Sequence, residues 1–298
     1  MSAIKYTLTI SLSFILSFLI ECQNTYQQIF NNGLACNMGR IQSPIELSDE
    51  TSKYSQENLL TSINYLSLNN LYVNLNERIL KVFQNNAVSQ NFGNINFKKN
   101  GYLSQFQLID IEFYYPAEHN IKVGTSVVVP DVEVKLIHKK IKNFYSSAND
   151  LRNFTESNSY LIVSLLYKQK GTFSDNGFLS DLISVYNPTK SPILMKNIDL
   201  DKYNLIKSNR YYMYDGSFSY FPCDENVSYV VVKDLFSISG SDIGNIIEKY
   251  STKYSSPFVN KAIAKPFGRP VYRNFVTLNS FYVQYKFFFA LIILLCLF

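Results

Sequence analysis

The sequence predicts a mainly β fold of the α+β kind, one domain with short helices at its periphery. Short runs rich in Val, Ile, Tyr and Phe recur between polar breaks, and several alternate with period two. Helical periodicity is confined to two short segments. Between Gln23 and Asn279 no proline-rich linker, low-complexity run or internal repeat divides the chain, so one domain is the economical reading. An apolar content of 47% over 298 residues is ample for a core and excludes disorder as the main state.

Taken in order, the strand candidates are "RILKVFQ" (78–84), "YLSQFQLIDIEFYY" (102–115), "DVEVKLIHKK" (131–140), "SYLIVSLLYKQ" (159–169), "RYYMYDGSF" (210–218) and "SYVVVKD" (228–234). The helix candidates are "NGFLSDLISVY" (176–186) and "SDIGNIIEKY" (241–250), the second with Ser241 as its expected N-cap. One strand poses a question. Phe106, Leu108, Asp110, Glu112 and Tyr114 fall on the even-numbered side of the second run, which puts two carboxylates where an inward face should be apolar.

The ends are of a different character. Residues 1–22 carry Lys5, then "YTLTISLSFILSFLI", then polar residues, which is the layout of a secretory signal peptide cleaved near Cys22. The competing reading, an uncleaved anchor, needs a longer run, since a crossing takes ~20 apolar residues. Residues 280–298 end in "FFFALIILLCLF", whose helical rise of ~18 Å falls short of a ~30 Å hydrocarbon core. That tail is expected to be a lipid-anchor (GPI-type) signal with attachment at Asn279 or Ser280, or else a retained membrane tail.

Compartment then decides the cysteines. With Cys22 at the signal boundary and Cys296 in the tail, a mature domain 23–279 keeps Cys36 and Cys223, which an oxidising environment pairs. Closing so long a loop is worth about 5 kcal/mol on chain entropy. Asn153 and Asn226 head N-glycosylation sequons, whereas Pro188 disqualifies Asn187. The net charge of +5 comes from scattered lysines such as Lys98, Lys99, Lys139, Lys140 and Lys142 without an aromatic-laced stripe, so no nucleic-acid partner is expected.

Five segments carry a family likeness. "CNMGRIQSPIEL" (36–47) resembles the N-terminal signature of secreted alpha-class carbonic anhydrases. "FQLIDIEFYYPAEH" (106–119) resembles their zinc strand, a His-x-His pair followed by a Pro-Ser-Glu-His turn. "VEVKLIHKK" (132–140) is similar to their next strand, Glu-x-His-Leu-Val-His. "YDGSFSYFPCDENVSYVVVKD" (214–234) resembles the Gly-Ser-Leu-Thr-Thr-Pro-Pro-Cys segment and the strand after it, and "GRPVYRNFVTLNS" (268–280) the closing Arg-Pro-Val-Gln stretch. The resemblance implies a large, mostly antiparallel, twisted central sheet, and it pairs the cysteines corresponding to Cys36 and Cys223.

It also implies zinc held by three neutral imidazoles, which leave the ion the charge that lowers the pKa of its bound water to about 7. This chain has two histidines in all. Matched residue by residue, the ligand positions fall on Glu112, Tyr114 and Lys135. His119 and His138 match two family histidines that do not bind zinc and serve hydrogen bonding. Glu118 matches the glutamate that holds the gatekeeper threonine, at whose place stands Ser219. Glu133 matches the glutamate that orients the third zinc histidine, here with no histidine expected to orient. Asp110 falls on a polar pocket position, Tyr220 and Phe221 replace smaller residues, and Tyr229 and Phe113 stand where the family has Trp. The proton-shuttle position falls near Ala87, where no histidine stands.

The expectation is a secreted or surface-anchored, acatalytic carbonic-anhydrase-like domain without cofactor, acting as an extracellular binding or adhesion module for a protein or ligand. The alternative is a carbonic-anhydrase-type lyase that uses another ion at Asp110, Glu112, Tyr114 and Glu133, since oxygen ligands suit Mg, Mn or Ca better than zinc. Either way, Glu112 and Lys135 on adjacent strands are expected to form an ion pair in place of the metal's cross-strand tie.

Overall fold

A computed structural model describes residues 39–276 except for short stretches, the longest being 85–91, 145–157, 186–192 and 254–260. Ala87, Asn153, Cys36, Phe221 and both chain ends lie outside the described residues. All six strand candidates form strands. Eight strands build the functional part of the sheet: β1 (Leu71–Asn76), β2 (Ile79–Gln84), β3 (Gly93–Lys99), β4 (Tyr102–Tyr114), β5 (Val132–Phe144), β6 (Tyr160–Gln169), β7 (Tyr211–Gly216) and β8 (Val227–Val232).

The main sheet runs β1-β2-β4-β5-β6-β8-β7, extended by short strands at both edges, with β3 also pairing β4. Its pairings are antiparallel between β2 and β4, β4 and β5, β5 and β6, and β7 and β8, with a parallel join between β6 and β8. A mixed, mostly antiparallel sheet is therefore what the alternating runs build.

Each face buries its own apolar cluster. Val134 and Leu136 of β5 and Leu161, Val163 and Leu165 of β6 point to one face, where helices α1 (Phe178–Val185) and α2 (Gly240–Lys253) cover them with Phe178, Leu182, Ile243 and Ile246. Ile137, Ile162, Leu166, Tyr212, Tyr229 and Val231 point to the other face, closed by Ile45 and Leu47. The N-terminal "QSPI" is tied to the "GSF" and "CDE" stretches: Ser43 and Ser217 exchange bonds, their backbone N–H groups donating to each other's Oγ at 3.0 and 3.1 Å, and Gln42 donates to Glu225 at 2.7 Å.

Two local expectations change. The cap of α2 is Ser239: its Oγ accepts from the Asp242 N–H at 3.1 Å and donates to the Asp242 carboxylate at 2.8 Å. Ser239 thus accepts an otherwise unpaired N–H of the first turn, and Ser241 is a helical residue. The single even-numbered face of β4 does not exist either. The register with β5 jumps from Asp110–Ile137 to Leu108–His138, leaving Ile109 as an extra residue. One inserted residue exchanges the faces beyond it. Phe106 and Leu108 thus share the helix-covered face with Ile111 and Phe113, while Asp110, Glu112 and Tyr114 lie with Ile137 on the other.

Candidate functional site

Beyond the bulge, β4 and β5 align Lys135 with Glu112, and Glu133 with Tyr114. Cross-strand partners in a sheet share a face, so these four side chains and Asp110 gather on one patch. Lys81 of β2 lies opposite Glu112 on the other side of β4, and Ser164 of β6 lies opposite Lys135. A row Lys81, Glu112, Lys135, Ser164 therefore crosses four strands.

Lys135 is the centre. Its side chain is 1% exposed. Its Nζ donates to Glu118 Oε2 and, at 3.0 Å, to Ser219 Oγ. It also lies 4.0 Å from the centroid of the Tyr114 ring, within cation–π range. Burial alone would push this amine down, but the Glu118 and Glu133 carboxylates outweigh it and hold the pKa above the ordinary lysine value. The ammonium stays charged.

The expected Glu112–Lys135 ion pair is not what forms. Glu112, 2% exposed, accepts from the Tyr114 hydroxyl at 2.8 Å and pairs with Lys81 at 3.5 Å, while Lys81 also pairs with Asp110 at 2.9 Å. With Glu112 already served from β2, the lysine stem carries its charge to the turn after β4, where Glu118, 3% exposed, has no closer cation. Burial raises the pKa of both Asp110 and Glu112, with Lys81 opposing in each case. Burial likewise pushes the Tyr220 hydroxyl up, helped by the charges of Glu112 and Asp110. Its ring leans on Phe218 at 5.3 Å between centroids.

Glu133 has a histidine after all, though not on its own strand. It accepts His119 Nδ1–H at 2.7 Å and the backbone N–H groups of Glu118 and His119, both at 3.0 Å. Burial pulls this carboxyl up, but His119, Lys135 and those donors win and hold it far below the usual carboxylate range. His119 Nε2 meets the Tyr214 hydroxyl at 2.6 Å, and its ring stands edge-on to Tyr229 at 5.3 Å. Tyr229 stacks on Tyr214 at 4.9 Å and donates to the Ser217 carbonyl at 2.9 Å. Both histidines serve hydrogen bonds. His138 Nδ1 donates to the Leu161 carbonyl at 3.1 Å and Nε2 accepts from Tyr65 at 2.9 Å.

His138 makes a pH prediction. Burial, only partly offset by its backbone bonds, lowers its pKa from 6.5 to about 4. As pH falls through 6.5 the unfolded chain takes up a proton that the folded chain refuses, so stability is lost between pH 6.5 and about 4, by about 3 kcal/mol in all. Urea unfolding at pH 7 and pH 4.5 should show this loss, and in His138→Gln, which keeps a donor for Leu161, the difference should shrink by most of that amount. An equal pH dependence in both proteins would refute it.

The sequence missed Lys81, Tyr214 and Tyr65. Lys81 is a charge inside the apolar run "ILKVF", which is a usable signal. Nothing in the sequence, however, says that β2 lies beside β4. The remaining residues fall as follows. Cys223 is disulfide-bonded, with the other cysteines outside the described residues. Asn226 is exposed at the start of β8, where its side-chain oxygen accepts from the Ser159 N–H at 2.7 Å.

A sequence profile of the eukaryotic-type carbonic anhydrases matches residues 23–279. The chain belongs to the eukaryotic-type carbonic anhydrase family. Alpha carbonic anhydrase 8 of Arabidopsis thaliana is 26% identical to this carbonic anhydrase family member over 208 residues, 70% of the chain and 47% of that protein. Dioscorin dioA3 of Dioscorea japonica is 25% identical over 205 residues, 68% of the chain and 65% of that protein. The chain thus spans about half of the first and just under two thirds of the second. Two solved structures share the fold at 20% identity. A dioscorin complexed with ascorbate has a TM-score of 0.62, covering 82% of this chain and 92% of that one. The alpha-carbonic anhydrase of Thermovibrio ammonificans with sulfanilamide has a TM-score of 0.60, covering 83% and 93%.

Membership raises the question of zinc, and the residues at hand do not fit it. At the three positions the family likeness assigns to ligands, one side chain is an ammonium, one is a tyrosine whose hydroxyl proton is given to the third, and the third is a carboxylate held by Lys81. A cation already stands at the meeting point of Glu118, Ser219 and Tyr114. The oxygen set of the alternative reading is not brought together as ligands either. Glu133 spends its oxygens on His119 and two backbone donors, and Asp110 and Glu112 share Lys81.

Proposed function

We propose that this chain is a non-catalytic carbonic anhydrase family member that works by binding outside the cell. In this reading the Lys135 ammonium takes over the electrostatic part of the zinc ion. It supplies one positive charge to Glu118 and Ser219, the pair that in the resemblance handles the metal-bound water, but it has no open coordination position at which water could be activated. The single observation that supports the reading is the buried Lys135 Nζ donating to both groups at once.

The same proposal takes residues 1–22 as a signal peptide and 280–298 as the tail that ties the domain to the membrane, by a lipid anchor or directly. It takes Cys36 as the partner of Cys223 and Asn153 and Asn226 as glycan sites. The partner is an extracellular protein or ligand. The decisive measurement is metal content together with CO2 hydration on the purified domain. No stoichiometric zinc and hydration at the uncatalysed rate are expected. Stoichiometric zinc with hydration above background overturns the reading.

A further inference from the structure

A ridge of three aromatic rings runs along the face of the sheet that carries Asp110 and Glu112. Tyr160, at the start of β6, meets Phe218 edge-on at 5.0 Å between centroids, and Phe218 meets Tyr220 at 5.3 Å. All three are half-buried, with Tyr160 and Phe218 backed by the apolar cluster of that face. We propose that this ridge and the polar groups beside it bind a neutral sugar, a pyranose unit of an extracellular glycan. The inference rests on the reading of the chain as a binding module and names the class of its ligand.

Strand register gathers the polar groups. Gln107 of β4 points away from the face of Phe106 and Leu108, stands opposite Lys139 of β5, and Lys139 in turn stands opposite Tyr160 of β6. Past the bulge on β4 comes Asp110, paired with Lys81 at 2.9 Å. The Tyr220 hydroxyl lies within electrostatic reach of Asp110, Glu112 and Tyr160, so the ridge and the acids form one patch.

Unused hydrogen-bonding capacity sets the kind of ligand. Among the described residues the hydroxyls of Tyr160 and Tyr220, the side-chain amide of Gln107 and Asp110 Oδ1 have no partner, and none of these atoms is shut off from solvent. Lys81 spends two of its three N–H groups, on Asp110 and Glu112. Phenol, amide, carboxylate and ammonium together offer donors and acceptors, which a run of hydroxyls can satisfy because each hydroxyl is both. An apolar ligand would strip water from these groups without replacing its bonds. Lys81 and Lys139 balance Asp110 and Glu112, so the patch calls for no net charge on its ligand. A pyranose presents C–H groups on its ring faces and hydroxyls at its edge. It can lay a face on an aromatic ring while its edge meets the flanking polar groups, the usual division of labour in small-ligand sites.

The test is saturation-transfer NMR on the purified protein with the methyl glycosides of glucose, galactose, mannose and N-acetylglucosamine, followed by titration of the sugars that respond. At least one should bind, with the strongest transfer on its ring C–H protons, and the glucuronide should bind no more tightly than the glucoside. Tyr220→Ala should weaken binding about tenfold, the scale of an aromatic contact, and Gln107→Ala about three- to tenfold, the scale of one hydrogen bond. Lys170→Gln, which removes an exposed charge elsewhere, should change nothing. Tyr220 is half-buried, so if Tyr220→Ala misfolds, Gln107→Ala, whose amide holds no part of the fold, decides. Absence of binding by all four sugars, tighter binding of the glucuronide, or full binding by a folded Gln107→Ala would overturn the proposal. Zinc content and CO2 hydration test the non-catalytic reading separately, so either can fail while the other stands.

Discussion

Replacing Lys135 by methionine should lower the unfolding free energy by about 3–5 kcal/mol, because it leaves the Glu118 carboxylate buried with no cation. The double variant Lys135→Met with Glu118→Gln should recover most of that loss. A neutral amide has no charge to desolvate, and a well-packed apolar side chain in place of a buried ion pair is often neutral or stabilising. Glu112→Gln should not rescue Lys135→Met, since Glu112 has its own cation in Lys81. The measurement is a urea denaturation series on the three variants at pH 7. Rescue by Glu112→Gln in place of Glu118→Gln would show that the Lys135 charge is spent on the facing strand. Equal losses in the single and double variants would show that the pair contributes through packing alone.

The triple replacement Glu112→His, Tyr114→His and Lys135→His should yield a domain that binds a single zinc ion. The three side chains already touch: the Tyr114 hydroxyl reaches Glu112 at 2.8 Å, and its ring lies 4.0 Å from Lys135 Nζ. Imidazoles at these positions would converge on the space the ammonium now fills, and Glu133, freed of Lys135, would keep its own tie to His119. Structural zinc sites bind with apparent free energies of about 10–16 kcal/mol, so even a poorly set site should retain zinc through dialysis. The readout is metal content by mass spectrometry and a zinc-dependent rise in melting temperature. A folded triple variant that holds no zinc would overturn the residue correspondence drawn from the family likeness. Lys81 remains beside the site in that variant, and its removal is the first adjustment to make if binding is weak.

Much of this was legible in the one-dimensional pattern. Through the family likeness, the "PAEH" turn and the "LIH" run set the expected register of two strands, which is why Glu112, Tyr114, Glu133 and Lys135 could be placed on one patch without coordinates, and why His119 and His138 could be read as hydrogen-bonding residues. Compartment reasoning singled out Cys223 as a bonded cysteine. What failed were statements about which charge meets which. Glu112 and Lys135 do face each other across adjacent strands, yet each finds a different partner. Side-chain reach and competition decided it. A lysine can turn along its strand toward Glu118, and Glu112 was already claimed from β2.

The inserted Ile109 is the other lesson. Period-two alternation assumes an uninterrupted ladder, and a single bulge moved Asp110, Glu112 and Tyr114 to the opposite face from Phe106 and Leu108. The acids never shared a face with Phe106 and Leu108; they stand beside Ile137 on the other.

The sequence by itself determined the strands, the family and the chemistry available at each ligand position, because backbone propensity, alternation and residue type are local properties of the chain. The tertiary structure alone decided that Lys135 is neutralised by Glu118 and that Lys81 holds the two acids. Each of these depends on strand order and on the low dielectric of a buried site, where a charge must take the best partner within reach, however far apart the two residues lie in sequence.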